Sequence, residues 1–290
     1  MIPNKINRII SRLKEEKKRG ENPRFFDFLL KFFGIQAEVE RKIGKVKPVL
    51  TKEDINKRQE SGMPLLGYAD LTLDWPLLNE TYTSISALFT EYSDLFSGIP
   101  VGEKIADSRK QLSKEIVRAW FSEDKLPADT VARNTDEYLL LYTLVQAAMK
   151  PFLTSHARTL IGSVKQEEWR RPRCPICGGK PDIAYLDKER GSRWLVCSRC
   201  DAEWIYQRLQ CPYCASEEQK DLAYFTDEEG IYRLYTCERC HTYLKTIDLR
   251  NVETEVLMPV ERLLTPDMDR QAQEKGYKPG YVEDLPDLPG

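Results

Sequence analysis

The sequence predicts an α+β chain of several parts: an N-terminal helical bundle, two tandem β-hairpin modules each closed on four cysteines, and a C-terminal helix. Three observations carry this prediction. Apolar residues recur at three- and four-residue spacing up to about residue 169, which is helical periodicity. Four Cys-x-x-Cys pairs fall between Cys174 and Cys240. The cysteine segment also repeats itself. The expected divisions are residues 1–169 as a mostly helical domain, 170–205 and 206–250 as the two modules, and 251–290 as a helix with an acidic tail.

Taken in order, helical patterns run from Asn4 to Lys18 and from Arg24 to Lys42, separated by Gly20 and Pro23 as stop and restart signals. In the second pattern Phe25, Phe28, Leu29, Phe32 and Phe33 make one apolar face, which reads as core. Val46 to Asp74 reads as loop, with large apolar residues in "SGMPLLGYADLTLDWP" that must dock somewhere. Helical signals resume over Leu77–Phe96, Gly102–Phe121 and Asp136–Lys150, the last capped by Asn134 or Thr135 and stopped by Pro151. A further helix is expected from Phe152 to Trp169. At "WRRPRCP" the texture turns to Gly, Pro and β-branched or aromatic residues. Beyond Arg250, Thr265 as cap, Pro266 at the first position and Gly276 as stop mark the last helix.

Composition narrows the function classes. With 290 residues, 41% hydrophobic, 31% charged, and 44 basic against 46 acidic side chains, the chain is ordinary for a soluble protein and needs no covalent staples. No apolar run reaches the eighteen or so residues of a membrane span. The N-terminus lacks the apolar core of a secretory signal, so a cytoplasmic, reducing location is expected. In that setting disulfides are disfavoured, and the cysteines require another explanation.

The repeat supplies it. Cys174–Cys200 aligns with Cys211–Cys240: Cys-Pro-x-Cys, then Asp182-Ile183-Ala184-Tyr185 or Asp221-Leu222-Ala223-Tyr224, then an acidic turn closed by Gly191 or Gly230. Next come Arg193 or Arg233 and, four residues on, Cys-x-Arg-Cys. Two strand-like runs around a Gly-closed turn predict a hairpin. The hairpin faces one thiol pair with the other, as a tetrahedral tetrathiolate metal site requires. One metal per repeat is the simplest grouping: Cys174, Cys177, Cys197 and Cys200 in one site, and Cys211, Cys214, Cys237 and Cys240 in the other. Zinc and a single iron both accept this donor set. Ala215 stands where the first repeat has Gly178, so a somewhat different turn is expected there. His241 beside Cys240 reads as a non-ligand, and His156 as structural or solvent-facing.

No phosphate loop, nucleophile elbow or HExxH motif occurs, so catalysis has no positive signal. A zinc-ribbon nucleic-acid binder is one alternative, with Arg170, Arg171 and Arg173 as its best patch. Against it, residues 170–250 hold fourteen basic and thirteen acidic side chains, where phosphate binding calls for a basic module. A rubredoxin-like electron carrier, suggested by "CPICGG", is a second alternative that leaves the helical domain without a use.

The chain also resembles one family along nearly its whole length. The segments "FLLKFFGIQAEV", "SGMPLL", "CDAEWIYQRLQCPYC", "CERCHTYLKTID" and "DMDRQAQEKGY", in that order, resemble the formate dehydrogenase accessory protein FdhE family. The match is most specific over Cys174–Asp248, including Trp204, Arg208 and Tyr243-Leu244-Lys245. The resemblance implies a cytoplasmic maturation factor, not an enzyme, that acts on the catalytic subunit of formate dehydrogenase. It also implies rubredoxin-like iron at the cysteines, with zinc as the other possibility.

Overall fold

The computed structural model describes residues 5–20, 22–47, 49–96, 112–133 and 135–281. The chain forms two compact units, one built from residues 1–46 and 68–155, the other from residues 47–67 and 156–283.

The first unit is helical. Helix α1 (Lys5–Arg19) buries Ile6, Ile9 and Leu13 against α2 (Pro23–Ile43), which starts on an Asn22 cap with Pro23 at its first turn. Three residues of the apolar stripe of α2, Phe28, Leu29 and Phe33, are core, and Phe25 and Phe32 are half-buried; Phe28 packs edge-on against Phe89, Tyr92 and Phe96 at centroid distances of 5.2, 5.7 and 5.4 Å. Phe89 belongs to α4 (Trp75–Glu91), capped by Asp74. Helix α5 (Lys114–Glu123) is capped by Ser113, and the earlier part of the helix expected from Gly102 lies outside the described residues. The Asn134 cap expected for the next helix lies outside them as well. Thr135 serves instead, its hydroxyl accepting from the Tyr138 amide at 3.1 Å.

Helix α6 (Asp136–Leu160) overturns the expected stop at Pro151 and absorbs the start of the helix expected from Phe152. Proline has no N–H, so the carbonyl four residues back, that of Ala147, loses its helical donor. The buried Gln36 amide on α2 donates to that carbonyl at 3.3 Å, so the helix continues without an orphaned acceptor. Gln36→Leu is expected to cost about 1–3 kcal/mol in urea unfolding. In a Pro151→Ala background, which restores the backbone donor, the same substitution should cost far less.

The second unit is organised on one sheet. Strands β1 (Pro181–Leu186), β2 (Arg193–Cys197) and β3 (Glu203–Tyr206) are antiparallel neighbours, as are β4 (Leu222–Thr226), β5 (Tyr232–Cys237) and β6 (Thr242–Asp248). The expected hairpins are therefore present as β1–β2 and β4–β5, and each cysteine repeat adds a third strand after its second pair. The two repeats are not separate beads. Strand β1 pairs in parallel with β6, giving the order β3-β2-β1-β6-β5-β4, and the short β7 (Lys278–Pro279) lies along the start of β6. In this order the second repeat follows the first in the same orientation, edge to opposite edge.

Segments outside the sheet complete the unit. Within the stretch read as loop, α3 (Lys52–Glu60) forms on a Thr51/Asp54 capping box although it buries no residue. The apolar pair that follows docks on the first cysteine turn: the Leu65 and Leu66 amides donate to the Pro175 and Ile176 carbonyls, both at 2.8 Å. Residues 166–169 form the short helix α7, whose Gln166 bonds the outer edge of β3. After the sheet, α8 (Met258–Leu264) precedes α9 (Pro266–Glu274). Thr265 occupies the cap position of α9, but its hydroxyl donates back to the Glu261 carbonyl.

Candidate metal centres

Each sulfur is aimed by a tight turn of the same kind. In the first turn the Gly178 amide donates to the Cys174 carbonyl at 3.0 Å, and the Cys174 amide to Gly179 at 2.9 Å. The residue after the second cysteine is left-handed in all four turns: Gly178 (φ 72°), Asp201 (φ 54°), Ala215 (φ 59°) and His241 (φ 51°). This corrects the expectation at Ala215, because the turn there is the same. The Ala215 amide meets the Cys211 carbonyl at 3.0 Å and the Cys211 amide meets Ser216 at 2.9 Å, which holds alanine in a conformation that costs about 1–2 kcal/mol. His241 fills the equivalent turn position of the fourth turn, on the outside of the cluster.

Eight free thiols gather in two groups of four, grouped as the repeat predicts. In the first, Cys174 and Cys200 sulfurs are 3.6 Å apart, and Cys177 lies 3.5 Å from both Cys197 and Cys200. In the second, Cys211–Cys240 and Cys214–Cys237 separations are 3.7 and 3.6 Å. These distances are far beyond an S–S bond of about 2.05 Å. They approach the edge of a tetrahedron with metal–sulfur bonds of about 2.3 Å, roughly 3.8 Å. Backbone amides already point at the sulfurs: Ile176 to Cys174 and Arg199 to Cys197 at 3.4 Å, and Tyr213 to Cys211 at 3.5 Å. Such N–H···S bonds stabilise thiolate ligands.

The electrostatics fit a cation as well. Burial pushes the Cys174 and Cys200 thiols well up, and neighbouring sulfurs add to it, while hydrogen bonds from Cys174, Cys197 and Cys200 hold Cys177 well down. In the second group the hydrogen bond with Cys240 brings Cys211 down to about 5, and burial carries Cys237 up to about 11. Gathering four thiolates is opposed by desolvation and by their mutual repulsion; a central cation is what allows all four to ionise.

The two groups differ in access. Cys174, Cys177, Cys197 and Cys200 are all buried, whereas Cys214 and Cys240 are half-buried. Of two bound ions, the second repeat's should be removed by a chelator at least ten-fold faster. Time-resolved release to a chelating dye would check this, with Cys214→Ser eliminating the fast phase.

Packing behind the sulfurs uses residues that the sequence reading left without a role. Arg262 on α8 reaches Asp201 and Asp182 at 2.7 and 2.8 Å, bracing the second turn. Trp204, fully buried, donates its indole N–H to the Arg171 carbonyl at 2.8 Å. Lys245 and Tyr243 of β6 both bond Asp269 of α9 at 2.7 Å. Within the arginine patch, Arg170 is paired with Glu167 at 2.5 Å and Arg171 lies over the Trp169 ring. His156 is buried in α6. Among the described residues, no helix is long and apolar enough to cross a membrane.

Comparison with known proteins follows this geometry closely. The family profile described as "FdhE, central domain" matches residues 173–208, the first cysteine repeat and its third strand. A curated relative named "Protein FdhE homolog" from Aquifex aeolicus is 26% identical over 266 residues, covering 90% of this chain and 88% of its own. Another of that name from Shewanella oneidensis is 33% identical over 146 residues, about half of each chain at 49% and 47%. Among solved structures, "The crystal structure of the FdhE protein from Pseudomonas aeruginosa" matches with a TM-score of 0.62 at 22% identity, covering 100% of this chain and 99% of that one. At that identity the likeness establishes the fold.

Proposed function

Because the chain belongs to the FdhE family, whose members are non-catalytic accessory factors, we propose that it serves the maturation of formate dehydrogenase by holding that enzyme's catalytic subunit on a metal-braced scaffold. The chain itself is not an enzyme. The observation that carries the proposal is the pair of four-sulfur clusters built into one continuous sheet. Metal held by all four sulfurs of a repeat ties its hairpin to its third strand, stiffening a sheet whose own core is small. A rigid sheet ending in one exposed strand, β4, suits protein docking.

On this reading Cys174, Cys177, Cys197 and Cys200 hold one ion, and Cys211, Cys214, Cys237 and Cys240 the other, in rubredoxin-like or zinc-ribbon fashion. Iron is the favoured metal and zinc the alternative. The helical domain over 1–169, the two ribbons over 170–205 and 206–250, and the C-terminal helix and tail over 251–290 act together in the cytoplasm. The near-balanced charge of residues 170–250 favours a protein partner over nucleic acid.

The test is co-purification of the tagged full-length protein with the formate dehydrogenase catalytic subunit, alongside metal analysis of anaerobically prepared protein. Retention of the subunit by wild type and its loss with Cys177→Ala is the expected result. Failure of wild type to retain it, or normal formate dehydrogenase activity in a strain lacking the protein, would sink the proposal.

A further inference from the structure

The repeat breaks at one place where charge matters. Arg193 and Arg233 are equivalent, each facing the third strand of its repeat, at Tyr206 and Thr246 respectively. Eight residues beyond the last cysteine of each repeat stand Arg208 and Asp248, also equivalent. In the second repeat Arg233 meets Asp248 at 2.6 Å. In the first, the carboxylate position is itself an arginine.

Arg193 is nevertheless 3% exposed. Its Nη1 donates to the Gln210 and Gln207 carbonyls at 3.0 and 3.4 Å, and its guanidinium lies 4.5 Å from the centre of the Tyr235 ring. Its Nε has no partner, and among the described residues no carboxylate contacts it. Burying a guanidinium without an anion is unfavourable. Here two cations converge where the other repeat balances its own.

They converge on a cleft. A cavity of about 180 Å³ is lined by Arg193, Arg208, Leu209, Tyr224, Tyr235 and Leu244 among others, and its walls are mainly apolar. Leu209 and Tyr224 are 70% and 53% exposed, and the next residue of β4, Phe225, is also exposed. An apolar cleft with two convergent cations suits a carboxylate beside a large apolar side chain.

The strand bounding the cleft indicates what carries that carboxylate. Strand β4 is the counterpart of β1, whose outer edge accepts β6 in parallel. Among the described residues no strand lies on the outer edge of β4, and its sequence, Leu-Ala-Tyr-Phe-Thr, has none of the charges or prolines that blunt edge strands. A second copy stacked in the same sense as the two repeats would have to offer the outer edge of β3, the counterpart of β6. That edge is closed by Gln166, which donates to the Glu203 carbonyl at 3.3 Å and accepts from the Ile205 amide at 3.2 Å. A second copy turned about a two-fold axis would offer β4 itself, Leu-Ala-Tyr-Phe-Thr, which carries no carboxylate for the two arginines; charge complementarity therefore calls for an acidic segment of another protein.

We propose that β4 and the adjoining cleft dock an extended segment of a protein partner, parallel to β4, with an Asp or Glu side chain on Arg193 and Arg208 and a neighbouring large apolar side chain among Leu209, Tyr224 and Tyr235. This deepens the client-binding reading and rests on it only for the partner's identity.

A random hexapeptide display library panned against the metal-loaded full-length protein tests it. Enriched peptides should carry Asp or Glu beside Leu, Ile, Val or an aromatic residue. The leading peptide, measured by fluorescence polarisation, should bind at least ten-fold more weakly when its acid is replaced by the amide, and when the protein carries Arg208→Gln or Arg193→Gln. Arg208 is exposed, so its variant keeps the test informative should Arg193→Gln fail to fold. Absence of acid enrichment, or unchanged affinity with Arg208→Gln, overturns the proposal. So does a change in metal content with Arg193→Gln that leaves peptide affinity intact, since Arg193 would then be a counter-charge to the thiolates. Loss of the formate dehydrogenase subunit with Arg208→Gln joins the two readings. Retention of the subunit by that variant defeats this site alone, and acid-enriched peptides without subunit binding by wild type defeat only the client reading.

Discussion

With one ion in each four-cysteine cluster as proposed, Cys177→Ser is expected to lower the metal content from two ions per chain to one and to unfold most of the first cysteine repeat. The side chain is buried, with two partner sulfurs at 3.5 Å, and a serine hydroxyl neither ionises in this range nor binds a soft cation comparably. Binding of a structural metal contributes about 10–16 kcal/mol in small zinc domains, so loss of even part of it exceeds the stability of a typical domain. The damage should reach residues 47–67, because the Leu65 and Leu66 amides hang on the first cysteine turn. Metal analysis together with hydrogen exchange at those amides would check both points. Two ions per chain and unchanged protection of Leu65 and Leu66 would contradict the expectation.

Asp248→Asn should cost about 3–5 kcal/mol at neutral pH, the range for breaking a buried ion pair from one side. The Asp248 side chain is fully buried and accepts from Arg250 at 2.6 and 2.8 Å and from Arg233 at 2.6 Å. It sits at the end of β6, opposite Leu186 of β1, so it fixes the joint between repeats. The Arg250 hydrogen bonds, followed by the Arg233 charge, hold its carboxyl below the ordinary value. A folded pKa lower than the unfolded one, about 3.9, gives stability that is fully present above the unfolded value and lost as pH falls through the folded one. The gap between wild type and variant in urea unfolding should thus be constant from pH 7 to about pH 4 and narrow in stronger acid. A gap that widened in acid would show that the carboxylate is not the group responsible.

Much of the second unit was legible because its signals are local. Cysteine spacing, a proline after the first cysteine and a Gly-closed acidic turn fixed both the hairpins and the grouping of sulfurs. The α2 stripe was legible for the same reason. What escaped depends on distant partners or on weak periodicity. Helix α3 has almost no apolar face, so its stretch reads as loop; its Thr51–Asp54 capping box is the one local signal of it. The passage of α6 through Pro151 depends on Gln36, an interaction 111 residues away in sequence. The docking of Leu65 and Leu66 depends on carbonyls in the first cysteine turn. The parallel β1–β6 joint needs two edges from opposite ends of the cysteine region, and no pattern within either repeat announces it. Arg193 was visible as a repeated residue, but its loss of an acidic partner emerges only when Arg208 is set against Asp248.

The β1–β6 joint has a further consequence. Units stacked by translation, unlike units related by a two-fold axis, have a leading end and a trailing end that fit one another, so nothing in the joint itself limits the stack to two. The chain is in this sense a fibre halted after its second subunit, and the side chain that halts it is Gln166 on the edge of β3. With its amide on Glu203 and Ile205, that residue occupies the edge through which a third unit would otherwise add.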